Sequence, residues 1–204
     1  MVVMLELIIL VATVGLLIIV LNKLPLEKEV VKKLAYDAKK IEKGEDGDDE
    51  AEVDTDALKR ADHYAQEGQY KRAEKLYLKL IAADPQEASL YNKLALVYLG
   101  SKEFKDAARS LEQALQIEPD NDTFYNNLGL LFYQQGNFEE SVENYEQSID
   151  INNKVASRFM NLGLAYFMLK KYRKAAEAYE KALILEPQND EYKRLLMAAE
   201  AKLK

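Results

Sequence analysis

Residues 122–155, DTFYNNLGLLFYQQGNFEESVENYEQSIDINNKV, and residues 156–189, ASRFMNLGLAYFMLKKYRKAAEAYEKALILEPQN, are two versions of one 34-residue phrase. Superposed, Leu128-Gly129 falls on Leu162-Gly163, and the phrase repeats upstream with the same period. Pro85 and Pro119 are one period apart, Pro187 lies two periods further on, and Asn153 fills the slot between. Three aromatic columns keep step: Tyr64, Tyr98, Phe132 and Tyr166; Tyr70, Phe104, Phe138 and Tyr172; and Tyr77, Leu111, Tyr145 and Tyr179. Two small-residue columns accompany them, Ala61, Ala95, Gly129 and Gly163, then Ala73, Ala107, Ser141 and Ala175. Self-similarity at such a period is the mark of stacked supersecondary units, here four: 54–87, 88–121, 122–155 and 156–189.

The pattern has a packing reason. Two antiparallel helices cross closely only where small side chains let the backbones approach, and neighbouring aromatics fill the space beside the crossing. Each unit therefore reads as a helical hairpin, unable to bury its apolar face alone and so stacked on the next. The proline, or Asn153, is expected where each new helix begins, since proline is tolerated in a first turn. In unit 1 Arg60 stands where the other units have leucine, and the first helix there is expected to be partly frayed. Residues 190–204, with Tyr192, Leu195, Leu196, Ala199 and Leu203 at helical spacing, read as a terminal capping helix whose polar outer face keeps the array soluble.

Over residues 54–189 the chain resembles the tetratricopeptide repeat (TPR) family. Leu128-Gly129 with Phe132, and Leu162-Gly163 with Tyr166, reproduce its leucine-glycine-tyrosine signature, and alanine-rich second helices ending in Glu-Pro complete it. The resemblance implies an all-α, right-handed solenoid in which first helices line a concave, peptide-binding surface. By repeat position that lining comprises Lys59, Asn92, Lys93, Asn126, Asn127, Leu130, Tyr133, Asn161, Leu164 and Phe167. An amide offers a donor and an acceptor to a peptide backbone, and Leu130, Tyr133 and Phe167 are placed to receive apolar side chains; the same asparagines also suit a solvated helix surface. One branch of the family grips a C-terminal carboxylate with two lysines, two asparagines and an arginine. The corresponding positions in units 2 to 4 hold Asn92, Leu96, Asn127, Ser157 and Asn161, of which Asn127 alone matches. Starting from unit 1, Leu58 and Asp62 also fail.

The remaining sequence points to a membrane. Residues 1–22 are apolar from Val2 to Leu21 except for Glu6, Thr13 and Gly15, and about 20 helical residues span a bilayer core. This segment is expected to be a retained single-pass transmembrane anchor, a cleaved signal peptide being the alternative. Lys23, Lys28, Lys32, Lys33, Lys39, Lys40 and Lys43 follow it and no base precedes it, which places the N-terminus outside and the repeats in the cytoplasm; the opposite, extracytoplasmic arrangement is the alternative. After Pro25, residues 23–43 gather Leu26, Val30, Val31, Leu34, Ala38 and Ile41 on one helical arc, with lysines opposite. That pattern suits an interfacial helix on membrane lipids and equally an amphipathic linker. Residues 44–56 carry eight carboxylates and no base and are expected to form an acidic, flexible linker.

Composition narrows the function. The chain is 49% apolar with eight Gly and four Pro, which fits an ordered helical protein, and its net charge of −7 averages unlike segments. Unit 3 gathers Asp122, Glu139, Glu140, Glu143, Glu146 and Asp150, and unit 4 Arg158, Lys170, Lys171, Arg173, Lys174 and Lys181. Such sectors suit orientation of a partner, pairing between copies, or plain solvation. The repeats are near neutral, which argues against nucleic acid. No cysteine is present, and the single histidine, His63, aligns with Val97, Leu131 and Ala165 and is expected to pack against a neighbouring helix. With no phosphate-binding glycine loop and no histidine-containing metal motif, neither an enzyme nor a cofactor is expected. The expected function is a membrane-tethered adaptor for a peptide or protein partner; the alternative is a structural or assembly subunit of an envelope, secretion or pilus complex.

Overall fold

The computed structural model describes residues 55–204. The expected transmembrane anchor, the juxtamembrane helix and the linker up to residue 54 lie outside these residues. Among the described residues no helix is long and apolar enough to cross a membrane.

The described chain is an all-α solenoid of stacked helical hairpins. Unit 1 is α1 (Thr55–Gln66) and α2 (Tyr70–Ala83), and unit 2 is α3 (Ala88–Gly100) and α4 (Phe104–Ile117). Unit 3 is α5 (Asp122–Gln135) and α6 (Phe138–Ile151), unit 4 is α7 (Ala156–Met168) and α8 (Tyr172–Leu185), and α9 (Asp190–Ala201) closes the array. Each helix packs against its neighbours in sequence, and α3, α5 and α7 also approach one another directly, so first helices form one continuous layer. Thr55 and Asp56, taken from sequence as linker, are already helical.

The turn inside each hairpin is built the same way four times. Gly68, Lys102, Gly136 and Lys170 occupy one repeat position, and all four have positive φ, between 59° and 82°. The next residue's N–H then reaches back to the aromatic column: Gln69 to the Tyr64 carbonyl at 2.8 Å, Glu103 to Tyr98 at 2.8 Å, Asn137 to Phe132 at 2.9 Å and Lys171 to Tyr166 at 2.9 Å. This left-handed stop satisfies carbonyls that a helix end leaves orphaned. Glycine adopts the conformation without strain, and Lys102 and Lys170 adopt it at a cost. The prolines differ from expectation. Pro85, Pro119 and Pro187, with Asn153, sit in the loops between units, before the next helix starts rather than in its first turn. Proline ends the preceding helix there by lacking an amide hydrogen.

Inside each hairpin the small residues do what crossing requires. Ala61, Ala95, Ala73, Ala107 and Ala175 are completely buried. A Cβ at Gly129 would lie 2.5 Å from the Tyr145 ring, and one at Gly163 would collide with Tyr179. Ser141 replaces alanine and is satisfied by donating to the Gly129 carbonyl at 2.8 Å across the same crossing.

Between units, one repeat column carries a charge only once among its buried members. Leu90, Phe124 and Tyr192 are buried at the third position of their first helices, and Arg158 takes this place in unit 4. Arg158 is ion-paired with Asp122, which also accepts from Asn152 at 3.1 Å. Burial lowers the guanidinium pKa of Arg158 from its ordinary value, as expected for a charge removed from water.

Unit 1 corrects two expectations. Its first helix is intact from Thr55 onward despite Arg60. His63 does not pack against a neighbouring helix: its side chain is 63% exposed and its Nε2 lies 3.5 Å from Glu67. Units 2 to 4 turn this face toward the preceding unit and bury Val97, Leu131 and Ala165 there. No unit precedes unit 1 among the described residues, and Asp56, Arg60 and His63 give its leading face to water. At the other end Tyr192 and Ala199 are buried in the cap, but Leu203 lies beyond α9 and is 51% exposed, and Met197 is 66% exposed. The outer face of the cap is therefore not uniformly polar.

Candidate functional site

The first-helix layer brings most of the expected binding residues onto one surface. Asn92 and Lys93 come from α3, Asn126, Asn127, Leu130 and Tyr133 from α5, and Asn161, Leu164 and Phe167 from α7. All are half-buried except Asn127, which is buried. Lys59 on α1 is exposed.

The amides are joined to one another. Asn161 Nδ2 donates to Asn126 Oδ1 at 3.1 Å, Asn126 Nδ2 to Asn127 Oδ1 at 3.4 Å, and Asn127 Nδ2 to Asn92 Oδ1 at 2.6 Å. A single file of side-chain amides thus crosses α7, α5 and α3. It has a direction, because every link donates toward unit 2. At the unit 4 end the Asn161 carbonyl is left to accept, and at the unit 2 end the Asn92 amino group is left to donate. Asn127, buried in the middle, braces two units and does not stand free in solvent.

Lys93 is likewise committed. Its Nζ lies 2.7 Å from Asp62 Oδ1, and the same carboxylate oxygen accepts from the Tyr77 hydroxyl at 2.5 Å. Burial first, and then Asp62, raises the Tyr77 pKa above its ordinary value. The charge of Lys93 is therefore neutralised within the chain.

Beside the amide file lies an apolar strip. Tyr133 meets Phe138 edge-on with ring centroids 5.4 Å apart, and Phe167 meets Tyr172 the same way at 5.2 Å. These contacts fix the two aromatic rings on the layer. Leu96 is 42% exposed and Met168 47% exposed. Neither belonged to the expected lining. Leu96 shares its repeat position with Leu130 and Leu164, so the column could have announced it; Met168 stands where unit 3 has Gln134, and no column points to it.

No three His, Asp or Glu side chains converge as metal ligands among the described residues. Beneath the layer the Tyr179 hydroxyl is buried without a hydrogen-bond partner among the described residues.

Comparison with known proteins agrees with this architecture. A profile described as Tetratricopeptide repeat matches residues 120–184, a second, described as TPR repeat, residues 101–136, and a third, again Tetratricopeptide repeat, residues 61–91. No curated protein sequence matches the chain. Among solved structures, pilF of Pseudomonas aeruginosa is similar with a TM-score of 0.66 at 26% identity, over 72% of this chain and 67% of that one. MamA is similar with a TM-score of 0.61 at 22% identity, over 74% of this chain and 84% of that one. The first TPR of Spaghetti, bound to the HSP90 peptide SRMEEVD, aligns with a TM-score of 0.56 at 22% identity, over 59% of this chain and 95% of that one.

Proposed function

For a chain that carries tetratricopeptide repeats, a fold that generally mediates protein–protein interaction, we propose the role of a membrane-tethered adaptor that holds a partner segment on its first-helix layer. The observation that carries this reading is the amide file from Asn161 to Asn92 with the apolar strip of Leu130, Tyr133, Leu164 and Phe167 alongside it. Amides spaced across three helices suit a peptide backbone, and the strip suits the apolar side chains of that peptide.

The chemistry of the layer selects the partner. Lys93 is held by Asp62, and the carboxylate-gripping set of the family is matched here only at Asn127. An acidic peptide such as the SRMEEVD bound by the first TPR of Spaghetti is therefore not the favoured ligand; a neutral segment with leucine or aromatic side chains is. Residues 1–43 would supply the tether: the apolar stretch spans the bilayer, the lysines hold the following segment to anionic lipid, and the repeats lie in the cytoplasm. Tethering raises the local concentration of whatever the layer holds. The role is one of binding without catalysis.

Protease protection in sealed, oriented vesicles, followed by crosslinking and mass spectrometry, tests both halves. The repeats should be cut only from the cytoplasmic side, and the crosslinks should map to the amide file and strip. N126A/N127A/N161A should abolish those crosslinks with helicity retained. Protection from the cytoplasmic side would overturn the orientation. Crosslinks that survive the triple substitution would move the interface elsewhere and favour a permanently assembled complex subunit.

A further inference from the structure

The side-chain link that joins units 1 and 2 on the first-helix layer differs in kind from the two that follow it. Lys93, Asn127 and Asn161 hold one repeat position, and each reaches back to the preceding unit: Lys93 to Asp62, Asn127 to Asn92 and Asn161 to Asn126. The second and third links join amide to amide and are neutral. The first joins an ammonium to a carboxylate. Its acceptor also comes from a different place. Asn92 and Asn126 share a repeat position that in unit 1 holds Leu58, which has no polar side-chain atom to offer. Asp62, one turn further along α1, supplies the acceptor instead, at the position where units 2, 3 and 4 have Leu96, Leu130 and Leu164. An acid has replaced a leucine at the unit 1 end of the apolar strip.

Asp62 is held in place from two sides. The hydroxyl of the buried Tyr77 donates to Asp62 Oδ1 at 2.5 Å, and Lys93 Nζ donates to the same oxygen at 2.7 Å. The Asp62 and Lys93 side chains are each about a third exposed, so a segment lying on the layer meets both. An ammonium left alone on such a surface draws carboxylates, because charge-assisted hydrogen bonds are the strong ones. Here that bond is already made within the chain, with no freedom lost on association, since both partners belong to one fold. A ligand carboxylate has to displace Asp62 from Lys93 and then lie beside the charge it has displaced.

We propose that Asp62 is a resident carboxylate that selects the partner of the layer: it takes at Lys93 the place of a ligand's acidic side chain, and so confines the layer to segments free of acidic side chains where they pass units 1 and 2. The inference rests on the adaptor reading and names the residue that sets its partner class. Specificity here comes from a repulsive element built against the wrong ligand as much as from contacts to the right one.

The test uses the full-length chain in a nonionic detergent and two peptides capped at both ends, Leu-Glu-Glu-Leu-Glu-Glu-Leu and its counterpart with glutamine for every glutamate. The readout is the ratio of their dissociation constants at low salt. Wild type should bind the glutamine peptide about tenfold tighter or more, since like charges brought together are costly. In Asp62→Asn the side-chain carbonyl still accepts from Tyr77 and Lys93, but the charge of Lys93 is freed. The ratio should then shift about tenfold toward the glutamate peptide, the worth of one charge-assisted bond. High salt should erase the shift, and Asp62→Asn/Lys93→Met should lack it. Lys93→Met alone leaves Asp62 without its counter-charge and should disfavour the glutamate peptide further, a readout that does not depend on how Asp62→Asn folds. A purely bracing Asp62 would lower stability when replaced and leave the ratio at its wild-type value. A ratio unchanged in Asp62→Asn, or a shift that persists without Lys93, overturns the inference. If neither peptide binds wild type or any variant, the layer itself fails as a binding surface and the adaptor reading falls with it; a glutamine peptide that binds with an unaltered ratio counts against Asp62 alone.

Discussion

The buried Asn127 side chain donates to Asn92, on the preceding unit, at 2.6 Å. A bond at this depth is both a brace between units and a part of the surface a partner would meet. If it is a brace, its two ends must be coupled in stability. A double-mutant cycle with Asn92→Ala and Asn127→Ala should give a coupling of about 0.5–1.5 kcal/mol, read by urea unfolding. Strictly additive effects would mean that the two amides do not bond.

Gly129→Leu and Gly163→Leu should each destabilise by about 1–3 kcal/mol or more, as overpacked cores do. Both would drive side-chain atoms into a tyrosine ring that is itself buried. Chemical denaturation of either variant with a wild-type midpoint would show that the hairpin crossing is placed wrongly.

Two tyrosines at one repeat position should respond in opposite ways to loss of the hydroxyl. Tyr77 donates to Asp62, so Tyr77→Phe should cost about 1 kcal/mol. The Tyr179 hydroxyl is buried without a partner, so Tyr179→Phe should leave the protein unchanged or more stable by about 1 kcal/mol. Thermal melts of the two variants side by side decide it; equal losses would assign the Tyr179 hydroxyl a bond.

At the junction of units 3 and 4, Asp122→Ala would strand the buried Arg158 and should cost about 3–5 kcal/mol. The double variant Asp122→Ala/Arg158→Leu should recover most of that loss, because Leu90 already fills the equivalent place in unit 2. A double variant as unstable as the single one would show that the ion pair contributes more than a packed leucine can.

Alkaline pH should unfold the array. Burial is the leading cause that raises the phenol pKa values of Tyr77, Tyr98, Tyr145, Tyr166 and Tyr179 above 10.0. Groups with raised folded pKa values stabilise fully below the unfolded value of about 10, and this contribution is lost progressively as pH rises through and beyond it. Tyrosinate absorbance and loss of helicity should appear together above about pH 10. Absorbance that titrates at the ordinary tyrosine value with helicity intact would contradict the burial of these rings.

Much of this fold was legible because the chain repeats itself. The small and aromatic columns named the residues that cross, and Gly129 against Tyr145 is that prediction in atoms. What the columns could not show is what lies off them. Asn92 and Asn127, and again Asn126 and Asn161, are separated by 35 residues, one more than the period. The amide file therefore runs diagonally across columns, and comparing equivalent positions never pairs its members. His63 failed for the converse reason. Its column is core in units 2 to 4, but a column records burial only where a preceding unit exists to bury against. Asp62 was hidden similarly, since Leu96, Leu130 and Leu164 share its position and suggest an apolar place.

The polar leading face of unit 1, Asp56, Arg60 and His63, also bears on end-to-end stacking of copies. A stack of identical hairpins has no intrinsic end: the trailing surface of one chain could be continued by the first hairpin of the next, and a head-to-tail contact of that kind propagates into a filament unless it closes. Here the trailing end offers Met197 and Leu203, but the surface they would have to meet is charged and hydrated. Apolar side chains at all three positions would remove that mismatch and bring the two ends of the array closer to complementary.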